Sequence, residues 1–123
     1  MIHQQHQRKL EDYFREGKIY ILPKTYAILK TKKPLSNAFA VIQDRKEITV
    51  VIEQKRIPEH GVIAVEKGWR IITFDLVLPF ELVGFLAKVT TLFARAKISV
   101  FVLSSYSTDH ILVKDSSLNQ AIK

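Results

Sequence analysis

The 123-residue chain contains no cysteine. Disulfides, thiolate nucleophiles and Cys-ligated metals are therefore excluded. Glycine is scarce and scattered, at Gly17, Gly61, Gly68 and Gly84. No Gly-rich loop can be assembled from these positions, which removes the Walker and Rossmann phosphate cradles. No serine sits in a Gly-x-Ser-x-Gly elbow. No apolar run approaches the roughly 20 residues needed to cross a bilayer. The N-terminus, Met1-Ile-His-Gln-Gln-His-Gln-Arg-Lys9, carries charge without an apolar h-region, so neither a signal peptide nor a membrane association is expected. A cytoplasmic protein is the expectation. His3 and His6 can share a helical turn, but zinc usually takes three or more protein ligands. His60 lies in a loop. His110 follows Asp109 directly, and adjacent strand residues face opposite sides, which argues against a His–Asp catalytic pair. No metal, no cofactor and no enzymatic activity are expected.

What is present is an ordinary globular composition. Apolar residues make up 47% of the chain, and its length suits one compact domain or two small halves sharing a core. The net charge of +7 raises the question of nucleic acid. Residues 1–68 carry 13 Lys or Arg against 8 Asp or Glu, net +5, and residues 69–123 carry 6 against 4, net +2. The densest cluster is Lys30, Lys32 and Lys33, with Lys24 nearby. Lys30 and Lys32 share one strand face, which a solvated edge explains.

Residues 3–16 are polar, with Leu10, Tyr13 and Phe14 at helical spacing, and predict a short helix ended by Gly17. Strands are predicted at Ile19–Leu22, Tyr26–Lys32, Ala38–Gln43, Ile48–Glu53 and Val62–Val65, with a four-residue link at Asp44–Glu47. Trp69–Leu78 reads as a long strand interrupted by Pro79. From Leu82, the apolar positions Phe85, Leu86, Val89, Leu92, Phe93 and Ala96 repeat with helical period, opposite Lys88, Thr91 and Arg95. Two strands follow, Ile98–Leu103 and Ile111–Val113. Asp115 or Ser116 caps a further helix. That helix stops abruptly, so the natural chain is expected to continue past Lys123. The element order predicts an α+β chain of two ferredoxin-like units in tandem, the first degraded. The divisions are a helical extension at 1–18, a first unit at 19–67 and a second at 68–123.

One constellation suggests a ligand. The tip between the last two strands, Ser104-Ser-Tyr-Ser-Thr-Asp109, holds hydroxyls, a ring and a carboxylate, but no Gly or Pro. Ordinary hairpin tips are tight and carry Gly or Asn. A helix starting near Gly84 offers unpaired N–H groups to a carboxylate, and the bare Gly84 permits close approach. The strand after the helix is expected beside the strand before it, bringing tip and helix start together. Asp109 then meets an ammonium or guanidinium, and Tyr106 covers an aliphatic stem.

The runs Leu78-Pro-Phe-Glu-Leu-Val-Gly-Phe-Leu-Ala-Lys-Val89 and Lys97-Ile-Ser-Val-Phe-Val-Leu-Ser-Ser-Tyr-Ser-Thr-Asp-His-Ile-Leu-Val-Lys114 resemble the ACT-domain family. The likeness extends to small bacterial tandem-ACT proteins and to the halves of the CASTOR-type cytosolic arginine sensors. The resemblance implies βαββαβ units that pair side by side and bind amino acids at the seam. Carried over by position, it places ligand contacts at Leu82, Gly84, Phe85 and Leu86 and at Ser105, Tyr106, Thr108 and Asp109. Leu82 stands where the sensors have an acidic contact, so arginine itself is not implied. The expected function is a non-catalytic regulatory or sensory module that binds an amino acid, working as a homodimer. An RNA-binding ferredoxin-like module is the alternative, although no strand matches the RNA-recognition signature. A structural dimerisation module with no ligand is the third reading.

Overall fold

The computed structural model describes residues 12, 15–75 and 79–118, with the side chains of 79–82 and 85 outside the description. The helix expected over 3–16 lies outside it except for Asp12, Arg15 and Glu16; Asp12 and Arg15 form an ion pair at 2.9 Å, and Glu16 N–H donates to the Asp12 carbonyl at 3.1 Å. Among the described residues, seven strands make one antiparallel sheet: β1 (Ile19–Ile21), β2 (Tyr26–Thr31), β3 (Ala40–Gln43), β4 (Ile48–Glu53), β5 (Val62–Phe74), β6 (Val100–Ser104) and β7 (Asp109–Lys114). Their order is β3-β4-β2-β5-β7-β6, with β1 also on β5. One helix, α1 (Pro79–Arg95), joins β5 to β6.

β1 and β2 are one strand interrupted at Pro23. Ile19–Ile21 pairs with Phe74–Ile72 and Tyr26–Thr31 with Trp69–Val62, along the same edge of β5. Leu22 N–H donates to the Ile71 carbonyl at 2.9 Å before the break. Proline has no N–H for a ladder, so the strand resumes beyond it.

The predicted strand Val62–Val65 and the described strand portion of the predicted Trp69–Leu78 are a single strand, β5, which ends at Phe74; residues 76–78 lie outside the description. A bulge at Lys67–Gly68 divides it: the register steps from Tyr26↔Trp69 to Ile28↔Glu66, leaving two residues opposite Ala27. Gly68 takes φ +82°, which suits a residue without Cβ. Gln54 Oε1 accepts its N–H at 2.9 Å, and the Lys67 carbonyl accepts from Lys114 Nζ at 2.8 Å. The same ammonium lies 4.7 Å from the centre of the Trp69 ring.

The expectation of two tandem units is corrected by the continuity of this sheet. β2 and β5 pair directly, so both halves of the chain share one sheet and one domain, and positions 67 and 68 both fall inside β5. The halves do repeat one connection pattern. β2, β3 and β4 lie in the order β2-β4-β3, as β5, β6 and β7 lie in the order β5-β7-β6. Only the second copy is bridged by a helix. The loop over residues 32–39 takes its place in the first, where Leu35 and Ala38 cover Ala27, Leu29, Val50 and Ile52.

α1 starts at Pro79, three residues before the predicted Leu82. Proline is favoured in a first helical turn, where its missing N–H leaves no bond unmade. The helix buries a narrow stripe, Leu86, Val89 and Phe93, against Ile19, Ile72, Phe74, Ile111 and Val113. The opposite face of the sheet is filled too, by Tyr26, Val51, Trp69, Ile71 and Leu112. Burial, aided by the carboxylate of Glu53 directly across the ladder, raises the Tyr26 phenol above its usual pKa. Phe39, just before the edge strand β3, contacts His110 of β7 with ring centres 5.1 Å apart. Those strands are four steps apart, about 19 Å in a flat sheet. The sheet is therefore curled, bringing its β3 edge over the strands of the second half. After β7, residues Asp115–Ser117 form a turn of 3-10 helix. The rest of the predicted C-terminal helix, from 119 onward, lies outside the described residues.

Candidate functional site

The β6–β7 hairpin turns over residues 105–108. The turn closes with Ser105 N–H donating to the Thr108 carbonyl at 2.9 Å. Ser104 and Asp109 are the last cross-strand pair, and the Ser104 hydroxyl donates to the Asp109 carboxylate. Ser105 Oγ lies 2.6 Å from Thr108 Oγ1 and 3.1 Å from the Thr108 carbonyl. Side chains thus do the closing work that glycine or asparagine does in a tighter turn. Tyr106 stands fully exposed at the apex.

The hydroxyls lead inward to His110. Thr108 Oγ1 is 3.2 Å from His110 Nε2, and Thr73 Oγ1 of β5 is 2.9 Å from His110 Nδ1. Thr73 and His110 are both buried, and they face each other in the β5–β7 register. A buried imidazole needs partners for both nitrogens, and two hydroxyls supply them whichever nitrogen carries the proton. Burial lowers the His110 pKa, since the charged form loses solvation; the neighbouring Asp109 carboxylate opposes that shift.

The predicted site residues fall into two groups. Ser105, Thr108 and Asp109 are brought together at the tip, Ser105 and Thr108 bonded to each other and Asp109 held by Ser104, whereas Tyr106 is fully exposed. The second group lies on α1. Gly84 is more than one turn inside the helix, not at its start, so its own N–H is not among the unpaired ones. It is exposed, and a Cβ there would meet nothing within 4 Å, so no close approach requires a glycine. Leu86 packs against the core. The side chains of Leu82 and Phe85 lie outside the description.

β6 does not lie beside β5 as expected; β7 lies between them. The tip still belongs to the end of the sheet where the chain leaves for the helix, because Asp109 pairs with Phe74, the last residue of β5. Sequence reasoning missed His110, Thr73 and Phe39. The available signal was a histidine and a threonine within otherwise apolar strands, each of which needs a buried partner. Among the described residues, no group of three or more His, Asp or Glu is placed to hold a metal ion. No described helix is long and apolar enough to cross a membrane.

The fold has known counterparts. A structural-genomics target from Agobacterium tumefaciens superposes with a TM-score of 0.73 at 24% identity, covering 84% of this chain and 81% of that one. A Vibrio cholerae protein of unknown function, described as a possible transport protein, gives 0.63 at 23% identity, over 85% of this chain and 84% of that one. The regulatory subunit of aspartate kinase from Thermus thermophilus, in its ligand-free form, gives 0.59 at 8% identity, over 85% and 90%. Among curated proteins, none matches this sequence. The α+β, ferredoxin-like architecture, which among the described residues has one helix on a curled antiparallel sheet, is therefore shared with an aspartate kinase regulatory subunit, and residues 64–123, which contain α1 and the β6–β7 hairpin, match the family model of the ACT domain.

Proposed function

We propose that this chain is a non-catalytic, ACT-type regulatory module that binds an amino acid at the β6–β7 tip. The single observation that supports the reading most is the braced tip, in which Ser104, Thr108 and His110 hold Asp109 and Ser105 in set positions. Such bracing lowers the ordering cost of binding. Asp109 takes the ligand's ammonium, and the tip hydroxyls and the first turn of α1 take its carboxylate. Leu82, Gly84, Phe85 and Leu86 belong to this proposal through the family resemblance, with Tyr106 closing over the ligand. The ACT domain match and the fold shared with a kinase regulatory subunit support the regulatory class.

The seam needs a second copy. Among the described residues β6 pairs on one side only, and Val102 on it is exposed. A symmetric homodimer at this edge brings two tips into one site, as in the tandem ACT proteins and the CASTOR-type sensors, with this chain supplying half of the arrangement. Ligand preference for one dimer arrangement then becomes a signal to a regulated partner.

Isothermal titration calorimetry with the twenty amino acids tests the reading. Saturable binding of one or a few of them, abolished by Asp109→Ala, is expected. No heat from any of the twenty at millimolar concentration sinks it.

A further inference from the structure

The tip is wired to the sheet through one titratable ring. We propose that His110 is a positioning residue for the tip, acting through Thr108, and that its protonation sets the direction in which the tip hydroxyls donate. This rests on the proposed binding role of the tip only for its effect on a ligand; the wiring itself does not.

A hydroxyl donates one proton and accepts with two lone pairs, and a neutral imidazole donates from one nitrogen and accepts at the other. Neutral His110 therefore allows two arrangements. In one, Ser105 donates to Thr108, Thr108 donates to Nε2, and Nδ1–H donates to Thr73. In the other, Nε2–H donates to Thr108, and Thr73 donates to Nδ1. The imidazolium has two donors and allows one polarity only at the ring. Nδ1–H then donates to Thr73 Oγ1 and Nε2–H to Thr108 Oγ1. Thr108 donates to Ser105 Oγ, and Ser105 donates to the Thr108 carbonyl. Every contact in that chain is already within hydrogen-bond distance, from 2.6 to 3.2 Å. Acid does not break the network. It fixes the polarity at the ring and removes the Thr108-to-Nε2 donation that neutral His110 permits, freeing the Thr108 proton for Ser105.

Among the described residues, the groups around the ring are few. β5 contributes Thr73, β6 places Leu103 across the ladder, the segment before β3 contributes Phe39, and β1 places Tyr20 beside Thr73. Asp109, on β7 itself, is the carboxylate that acts on the ring. A ligand ammonium at Asp109 would cancel that influence and disfavour the imidazolium. By reciprocity, an imidazolium would disfavour the ammonium. Binding then releases a proton, and affinity falls on acidification by up to about tenfold per pH unit, the limit for one proton released per ligand.

Nuclear magnetic resonance of the ligand-free, 15N-labelled protein tests the wiring. The His110 ring nitrogens and the amides of residues 105–109 are followed from pH 8 to pH 4.5. The Ser105 and Thr108 amides are expected to titrate with the midpoint of the His110 ring. In Thr108→Val the ring should still titrate while the Ser105 amide no longer follows it. In His110→Gln the shared transition should vanish. Tip amides that ignore the His110 midpoint in the wild type, or follow it unchanged in Thr108→Val, overturn the proposal. Calorimetry at pH 7.5 and 5.5 separates the two readings. A shared transition without amino-acid binding leaves the wiring standing and removes the ligand site.

Discussion

Ile98 N–H donates to the Phe93 carbonyl at 2.9 Å, across a Lys97 held at φ 59°. With Lys97 N–H on the Ala94 carbonyl at 3.1 Å, this is a Schellman ending, which satisfies carbonyls that the last turn of α1 would leave open. Ile98 and Phe93 are buried in the same core cluster, so the apolar contact that accompanies this ending is present as well. The ending sets where β6 begins, and hence where the hairpin tip emerges.

Lys97 occupies the position where glycine is preferred. A left-handed conformation costs an L-residue roughly 1–2 kcal/mol, part of which glycine returns through its freer unfolded chain. Lys97→Gly should stabilise the protein by about 0.5–1 kcal/mol, read as a higher urea midpoint at unchanged slope. A lower midpoint would contradict the cap.

Two glycines should respond oppositely to alanine. Gly68 sits at φ +82° in the β5 bulge, so Gly68→Ala meets no steric neighbour but strains the backbone. A loss of about 1–2 kcal/mol is expected. Gly84 lies within α1, in open space and at no positive φ. Gly84→Ala should gain about 0.5–1 kcal/mol from helix propensity. If Gly84→Ala also abolishes amino-acid binding, the ligand approaches that helix face; unchanged binding confines the site to the tip.

How far the sequence could be read follows from which forces are local. The β-branched runs and turn residues placed β1, β2, β4 and the Asp44–Glu47 link within a residue or so, since their causes lie within a few positions. The bulge hid the unity of β5, because Lys67-Gly68 looks like a loop when the Gln54 side chain that anchors it is fourteen positions away. Pro79 read as an interruption when it opens a helix. The tandem reading had the succession of elements along the chain but placed β6 beside β5, where β7 lies, and missed that β2 and β5 fuse the halves into one sheet. At the tip, residue types were legible from sequence. Their bracing by Thr73 and Phe39 was not, because those residues reach His110 only through the register of β5 on β7 and the curl of the sheet.

Asp109 carries both a structural bond and the proposed charge, and Asp109→Asn separates them. The amide oxygen can still accept from Ser104, so the hairpin should lose under about 1 kcal/mol, the typical worth of one hydrogen bond. The negative charge disappears. Binding of an amino acid should fall at least tenfold by calorimetry, with the melting temperature nearly unchanged. Retained affinity in Asp109→Asn would mean that the ammonium is held elsewhere.

The same buried histidine makes stability depend on pH, with a sign that can be worked out. Burial, partly offset by Asp109, lowers the His110 pKa in the folded protein below the unfolded value of 6.5. The unfolded chain therefore binds the proton more readily. The contribution of neutral His110 is fully present above pH 6.5 and is lost as pH falls from there through the folded-state value. Urea denaturation between pH 8 and 5.5 should show stability declining on the acid side. His110→Gln, which keeps hydrogen-bonding capacity but does not titrate in this range, should flatten that decline even if it lowers stability overall. A wild-type decline that persists with equal slope in His110→Gln would assign the proton to another group.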